Sequence, residues 1–190
     1  MPQLPNQPPL RTDAGERIAL EAKNWLHVRE TGKNAGFNDA VFEDKLRAIY
    51  WQKGHAWCAY AAKMVWLEVF KQTNMEEIIR EVLSGSVLVS WRNARACPYL
   101  KTSQIPVVGG IVCWGTGNGK GHTGIHVEIK DEFNTITAEG NTSRAGVREG
   151  DQFMLKHRKL QPTAKHNGDW NYLGTMIPPD YVNIAAEHTQ

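Results

Sequence analysis

The chain is expected to be α+β, with a helical N-terminal half followed by a small antiparallel β-sheet. Three observations predict it. Apolar residues recur at helical spacing from about residue 13 to residue 83. After Pro98 the period changes to two, with Ile125, Val127 and Ile129 alternating with Gly124, His126 and Glu128. Strands that follow helices, rather than alternate with them, point to segregated layers. The 190 residues suffice for one domain with a real core. We read an extended arm over 1–12, a folded domain over 13–180 and a polar tail over 181–190.

The prolines of the arm resist both helix and strand. A first helix starts near Asp13, read as its cap with Glu16 three residues on, and buries Ile18, Ala19, Ala22, Trp25 and Leu26. The segment 30–36, with Gly32 and Gly36, breaks it. A second helix runs over about 39–50 with Phe42, Leu46 and Ile49 on one face. The loop Gly54-His55-Ala56-Trp57 then feeds a third, whose Cys58, Ala62, Val65, Trp66 and Val69 share a face. With Lys63 and Glu68 its sole charges, this helix should be buried on most sides. Helices follow over about 75–83 and 87–96. Beyond Pro98, a short apolar run at 111–114 and a glycine-rich turn at 115–121 lead to strands at 125–129 and 135–139, a hairpin. Strands near 153–158 and 172–178 complete the sheet.

Composition narrows the function. A formal net charge of +2 with dispersed basic residues gives no reason to expect nucleic-acid binding. No apolar run is long enough to span a membrane. The Pro- and Gln-rich start is not a Sec signal peptide, so export by another route is expected if the protein acts outside the cytoplasm. Cys58, Cys97 and Cys113 are too few and too far apart for a disulfide framework, and reduced thiols are expected.

Cys58 is the candidate nucleophile, because a helix N-terminus favours an anion and an exposed thiolate attacks amides. A thiol hydrolase also needs an imidazole, a group to orient it and donors for an oxyanion. His122 follows the glycine-rich turn, and antiparallel pairing brings Glu139 or Asn141 within reach of it. The backbone N–H of Cys58 is the natural oxyanion donor. The candidate cleft takes in His55, Trp57, Trp114, Gly121 and His126. Trp57 and Trp114 serve there as walls or core rather than sugar platforms, and His126 is chiefly structural. The His122/His126 pair has no third ligand at a recognised spacing, so no metal and no cofactor are expected.

Four segments in order carry a family resemblance: Trp57-Cys58-Ala59; Pro106-x-x-Gly109-Gly110-Ile111-Val112; Gly121-His122-Thr123-Gly124-Ile125; and Glu139-Gly140-Asn141-Thr142. Together they resemble the motifs of CHAP domains, cysteine, histidine-dependent amidohydrolases/peptidases of the NlpC/P60-like branch of the papain-like fold. Glu30-Thr31-Gly32-x-Asn34 upstream and Leu173-Gly174 downstream extend the likeness to about residues 15–180. The resemblance implies Cys58 as nucleophile, His122 as base and acid, Glu139 as orienting group and Asn141 as an assisting fourth member. It implies bacterial peptidoglycan as substrate, cut between muramic acid and L-alanine or within stems and cross-bridges. It also implies a monomeric phage lysin released through a holin, a tail component, or an effector delivered by a secretion system. Two other readings of the same residues are a structural or adaptor protein that kept the fold, and a thiol amidase with a non-wall substrate. The sequence departs from the family at Gly110, where Asp is frequent, and lacks acidic residues over 48–57, where some members hold calcium.

Overall fold

The computed structural model describes residues 12–116, 118–143, 150–160 and 171–179. The expected arm, save Thr12, and the expected tail lie outside the described residues. The chain is mixed α+β, with five helices and two antiparallel sheets among the described residues: α1 (Asp13–Asn24), β1 (Glu30–Gly32), β2 (Gly36–Phe37), α2 (Ala40–Arg47), α3 (Cys58–Phe70), α4 (Met75–Val82), α5 (Val87–Ala96), β3 (Lys101–Ser103), β4 (Ile111–Gly115), β5 (Gly121–Ile129), β6 (Asn134–Thr142), β7 (Gln152–Lys159) and β8 (Asn171–Ile177). Strands β1 and β2 form a two-stranded ribbon, and the other six lie in the order β3-β8-β4-β5-β6-β7.

Local chemistry sets the helix boundaries. The cap of α1 is Thr12, whose hydroxyl accepts from the Gly15 N–H at 3.0 Å, one residue earlier than the Asp13 read from the sequence. Asp13 instead supplies negative charge in the first turn, where the helix dipole favours it. The buried face of α1 is Ala14, Gly15, Ile18, Ala19 and Ala22, small enough for close approach. Gly109, at φ +79°, uses that: a Cβ there would stand 2.6 Å from the Gly15 backbone. Asp39 caps α2 by accepting from the Phe42 N–H at 2.9 Å. That helix stops at Arg47, short of the sequence reading, and Tyr50 turns the chain with φ +73°.

Helix α3 is the centre of the molecule, packing on α1, α2, α4, β5 and β6. Ten of its thirteen residues are buried, as its near-absence of charge requires. Lys63 is among them, and its ammonium is satisfied by donating to the carbonyls of Arg80 at 2.7 Å and Leu83 at 2.5 Å. Those carbonyls belong to the C-terminal end of α4, so the buried cation also caps that helix.

The sheet is longer than its sequence pattern. Strand β5 begins at Gly121, so His122 sits within it rather than ahead of it, paired across from Trp114. Alternation divides the sheet into two faces. Ile111, Cys113, Ile125, Ala138 and Phe153 join the main core, and Val112, Trp114, Leu160 and Tyr172 form a second, smaller cluster. No helix among the described residues is long and apolar enough to cross a membrane.

Candidate active site

Cys58 is the first residue of α3 and keeps 7% of its surface exposed. Trp57 holds the N-cap position but offers no side-chain acceptor to the first turn. Its indole is turned away instead, donating through Nε1 to Glu30 Oε1 at 2.5 Å. The first turn therefore presents backbone donors, led by the Cys58 N–H, that no capping side chain has taken up. That arrangement suits an oxyanion forming beside the sulfur.

His122 is 8% exposed and hydrogen-bonds to Glu139 Oε2 through Nε2 at 2.8 Å. With Nε2 engaged, Nδ1 is the nitrogen left for the Cys58 thiol, with which the ring also hydrogen-bonds. Burial disfavours charge on the imidazole, but the hydrogen bonds to Cys58 and Glu139 outweigh it, and the His122 pKa is pushed up to about 9. Trp114 lies against the ring, its centroid 6.0 Å away and its plane tilted by 20°. The site thus favours an imidazolium beside a sulfur.

Glu139 is fully buried. Arg158 grips it with both arms of its guanidinium, Nε to Oε1 at 2.7 Å and a terminal nitrogen to Oε2 at 2.5 Å. Thr137 donates its hydroxyl to Oε1 at 2.5 Å. Burial alone would raise the carboxyl pKa, yet Arg158 and His122 together hold it down at about 2. The carboxylate is therefore a fixed anion with every lone pair directed. Arg158 also lies over the Trp114 ring, 5.4 Å from its centroid, so one indole supports both cation and imidazole.

The remaining sequence-predicted residues separate. Trp57 is not a cleft wall: it is fully buried in an aromatic cluster, its ring centroid 5.0 Å from Phe37 and 5.7 Å from Phe42. Gly140 lies on it so closely that a Cβ would meet Trp57 at 2.4 Å. Trp114 is 5% exposed and supports His122 instead of facing substrate. His126 is fully buried and leaves the cleft as well. Its Nδ1 is 2.9 Å from the Thr135 hydroxyl and its Nε2 2.9 Å from that of Thr175. Thr135 in turn donates to the Glu128 carbonyl, so it accepts from Nδ1–H, and Nε2 accepts from Thr175. Burial drives the His126 pKa down to about 3, which keeps this ring neutral and structural. His55 is exposed in the loop before Cys58, and Gly121 is half-buried at the start of β5. A Cβ at Gly121 would press on Val87 at 2.9 Å.

Asn141 is 3% exposed with φ +54°, and its Oδ1 has no partner among the described residues. It lines a groove beside the ribbon β1–β2 together with Glu30 and Asn34. Orientation of His122 is supplied by Glu139. The sequence reading missed Arg158 and Thr137. Thr137 lies two residues before Glu139 on the same strand face, a signal that alternation offers. Arg158 is an alternate-position cation on the returning strand; it pairs across from Thr135, on the face of Thr137 and Glu139, a placement that only the β6–β7 pairing reveals.

Among the described residues, no group of three or more His, Cys, Asp or Glu side chains could hold a metal. The three cysteines are free thiols, and burial pushes that of Cys113 far up, out of reactive range. Comparison with protein families, with curated proteins and with solved structures returns no match to this chain.

Proposed function

We propose that this protein is a cysteine-dependent amidohydrolase that cleaves an amide bond in bacterial peptidoglycan. The observation that carries the chemistry is the line Cys58–His122–Glu139, with the imidazole held between thiol and buried carboxylate at the start of a helix. The choice of the cell wall as substrate, and the CHAP-type papain-like fold, rest on the motif resemblance around Cys58, His122 and Glu139.

In this mechanism the Cys58 proton passes to His122 Nδ1 and the sulfur attacks the amide carbon. The carbonyl oxygen becomes an oxyanion facing the Cys58 N–H and the first turn of α3. His122 then protonates the leaving nitrogen, the C–N bond breaks, and an acyl-thioester remains. Water enters, gives a proton to His122 and attacks the thioester; the carboxylic acid leaves and the proton returns to sulfur. Glu139 keeps Nε2 protonated throughout and is a positioning residue. Arg158 offsets its charge, so the charged pair forms in a site that is otherwise neutral.

Zymography against bacterial cell walls tests this reading. Clearing by wild type and none by Cys58→Ala or His122→Ala is the expected result. Equal clearing by Cys58→Ala would remove the nucleophile, and absence of clearing by wild type would remove the wall.

A further inference from the structure

Helix α3 starts without a side-chain cap, so the aim of its first turn is set from outside the helix. The Trp57 carbonyl accepts the first helical bond, from the Ala61 N–H at 2.8 Å. The place of the Trp57 indole therefore bears on the place of Cys58. The ring is fully buried among Phe37, Phe42 and Phe153. Its six-membered edge bears on Gly140, where a Cβ would come within 2.4 Å of it, and Gly140 follows Glu139 on β6. One side chain thus stands between the residue before the thiol and the residue after the acid.

Apolar contact is non-directional and lets an aromatic ring slide or turn, whereas an N–H must point at its acceptor. The one polar handle of the indole is Nε1, and it donates to Glu30 Oε1 at 2.5 Å. Glu30 is itself held. Its Oε2 accepts from the Asn34 N–H at 2.8 Å. The Asn34 amide, turned to donate, reaches Glu30 Oε1 at 3.2 Å and the His55 carbonyl at 3.3 Å. The Glu30 backbone N–H donates to the carbonyl of Asp151, just ahead of β7, at 2.7 Å. The Gly54 N–H donates to the Asn34 carbonyl at 2.7 Å, so the same corner holds the loop before Cys58 at Gly54, His55 and Trp57.

We propose that Glu30 is a positioning residue for the thiol: through Trp57 Nε1 it fixes the indole as a spacer between the start of α3 and β6, and so sets Cys58 against His122. This latch rests on the reading of Cys58 and His122 as a reacting pair and is independent of the substrate. Its directional part is one hydrogen bond, from an indole that the aromatic cluster alone would leave free to turn.

Titration of the His122 ring by NMR in the full-length protein tests this without substrate. In wild type the midpoint is expected at about 9, where the Cys58 and Glu139 hydrogen bonds put it. Glu30→Ala frees the indole, loosens the thiol contact and should lower that midpoint by roughly one pH unit or more. Trp57→Phe keeps an aromatic ring in the cluster but removes the donor, and should lower it by as much. Should one of the two not fold, the other carries the comparison. The double variant should fall no further, since both act through one bond. Glu30→Gln separates position from stability. Two of the three donors at the carboxylate face Oε1, so the amide oxygen takes that place and keeps Trp57, while its NH2 meets the Asn34 N–H. That variant should melt at a lower temperature yet keep the wild-type midpoint. An unmoved midpoint in Glu30→Ala or Trp57→Phe, a further fall in the double variant, or a midpoint in Glu30→Gln as low as in Glu30→Ala would overturn the latch alone. A wild-type midpoint at the ordinary 6.5 would overturn the latch together with the thiol–imidazole pair.

Discussion

At the scale of single residues, Glu139 separates this site from a thiol and an imidazole that merely touch. Its carboxylate receives His122, Arg158 and Thr137 at once, so it neither titrates nor turns near neutral pH. Glu139→Gln keeps the shape and removes the charge. The alkaline limb of kcat/KM, governed by His122 at about 9 in the native protein, should then fall toward the ordinary histidine value of 6.5. The same variant should lower kcat by roughly a hundredfold or more, since the imidazolium loses its partner. A pH–rate profile unchanged by the substitution would show that the carboxylate does not act through His122. The sequence made the three main residues legible, because each sits in a short motif with its own chemistry. For Trp57 the sequence left wall and core open, and it read His126 as chiefly structural while keeping it in the candidate cleft, since polarity and nearness in sequence do not tell a cleft from a core. Only the aromatic ring of Phe37, Phe42 and Phe153 around Trp57, and the hydroxyls around His126, decide that.

At the scale of elements, two substitutions test how the site is held. Lys63→Met keeps the aliphatic stem but leaves the Arg80 and Leu83 carbonyls without their donor. The expected cost is about 2–4 kcal/mol in urea unfolding, from two charge-assisted hydrogen bonds lost in a buried place. Gly110 is the second. A Cβ there would approach Thr175 Cγ2 at 2.5 Å and Val107 at 3.0 Å, so the aspartate frequent in CHAP domains has no room in this sheet. Gly110→Asp should destabilise by at least about 2 kcal/mol, through overpacking and a buried carboxylate. A variant as stable as wild type would contradict that packing. Helix and strand types were readable from periodicity, from α1 to the hairpin β5–β6. Strand β3 and the ribbon β1–β2 were not, because three residues or fewer carry no period and their pairing is fixed by distant partners. Arg158 stayed hidden for a related reason: its place beside Glu139 is set by the pairing of β6 with β7, opposite Thr135, and not by a spacing within one strand.

At the scale of the whole molecule, the buried charges should shape stability against pH. The His122 pKa is raised above its ordinary 6.5, so its contribution is complete below 6.5 and is lost as pH rises through about 9. The Glu139 pKa is lowered from 4.5, so its contribution is complete above 4.5 and is lost as pH falls through about 2. His126, held neutral at about 3, loses its contribution as pH falls below 6.5, so thermal melting should be highest near pH 6.5 and should decline on the alkaline side up to about pH 9, by less in Glu139→Gln. The same frame unites fold and chemistry: α3 brings the thiol, β5 the imidazole and β6 the carboxylate, and α3 packs directly on both strands.

Mass spectrometry of purified muropeptides incubated with wild type and with Cys58→Ala tests the central claim most directly. The account predicts new amine and carboxylic acid termini from one amide bond with wild type, and unchanged muropeptides with Cys58→Ala. Identical products from both proteins, or intact muropeptides after incubation with wild type, would contradict it.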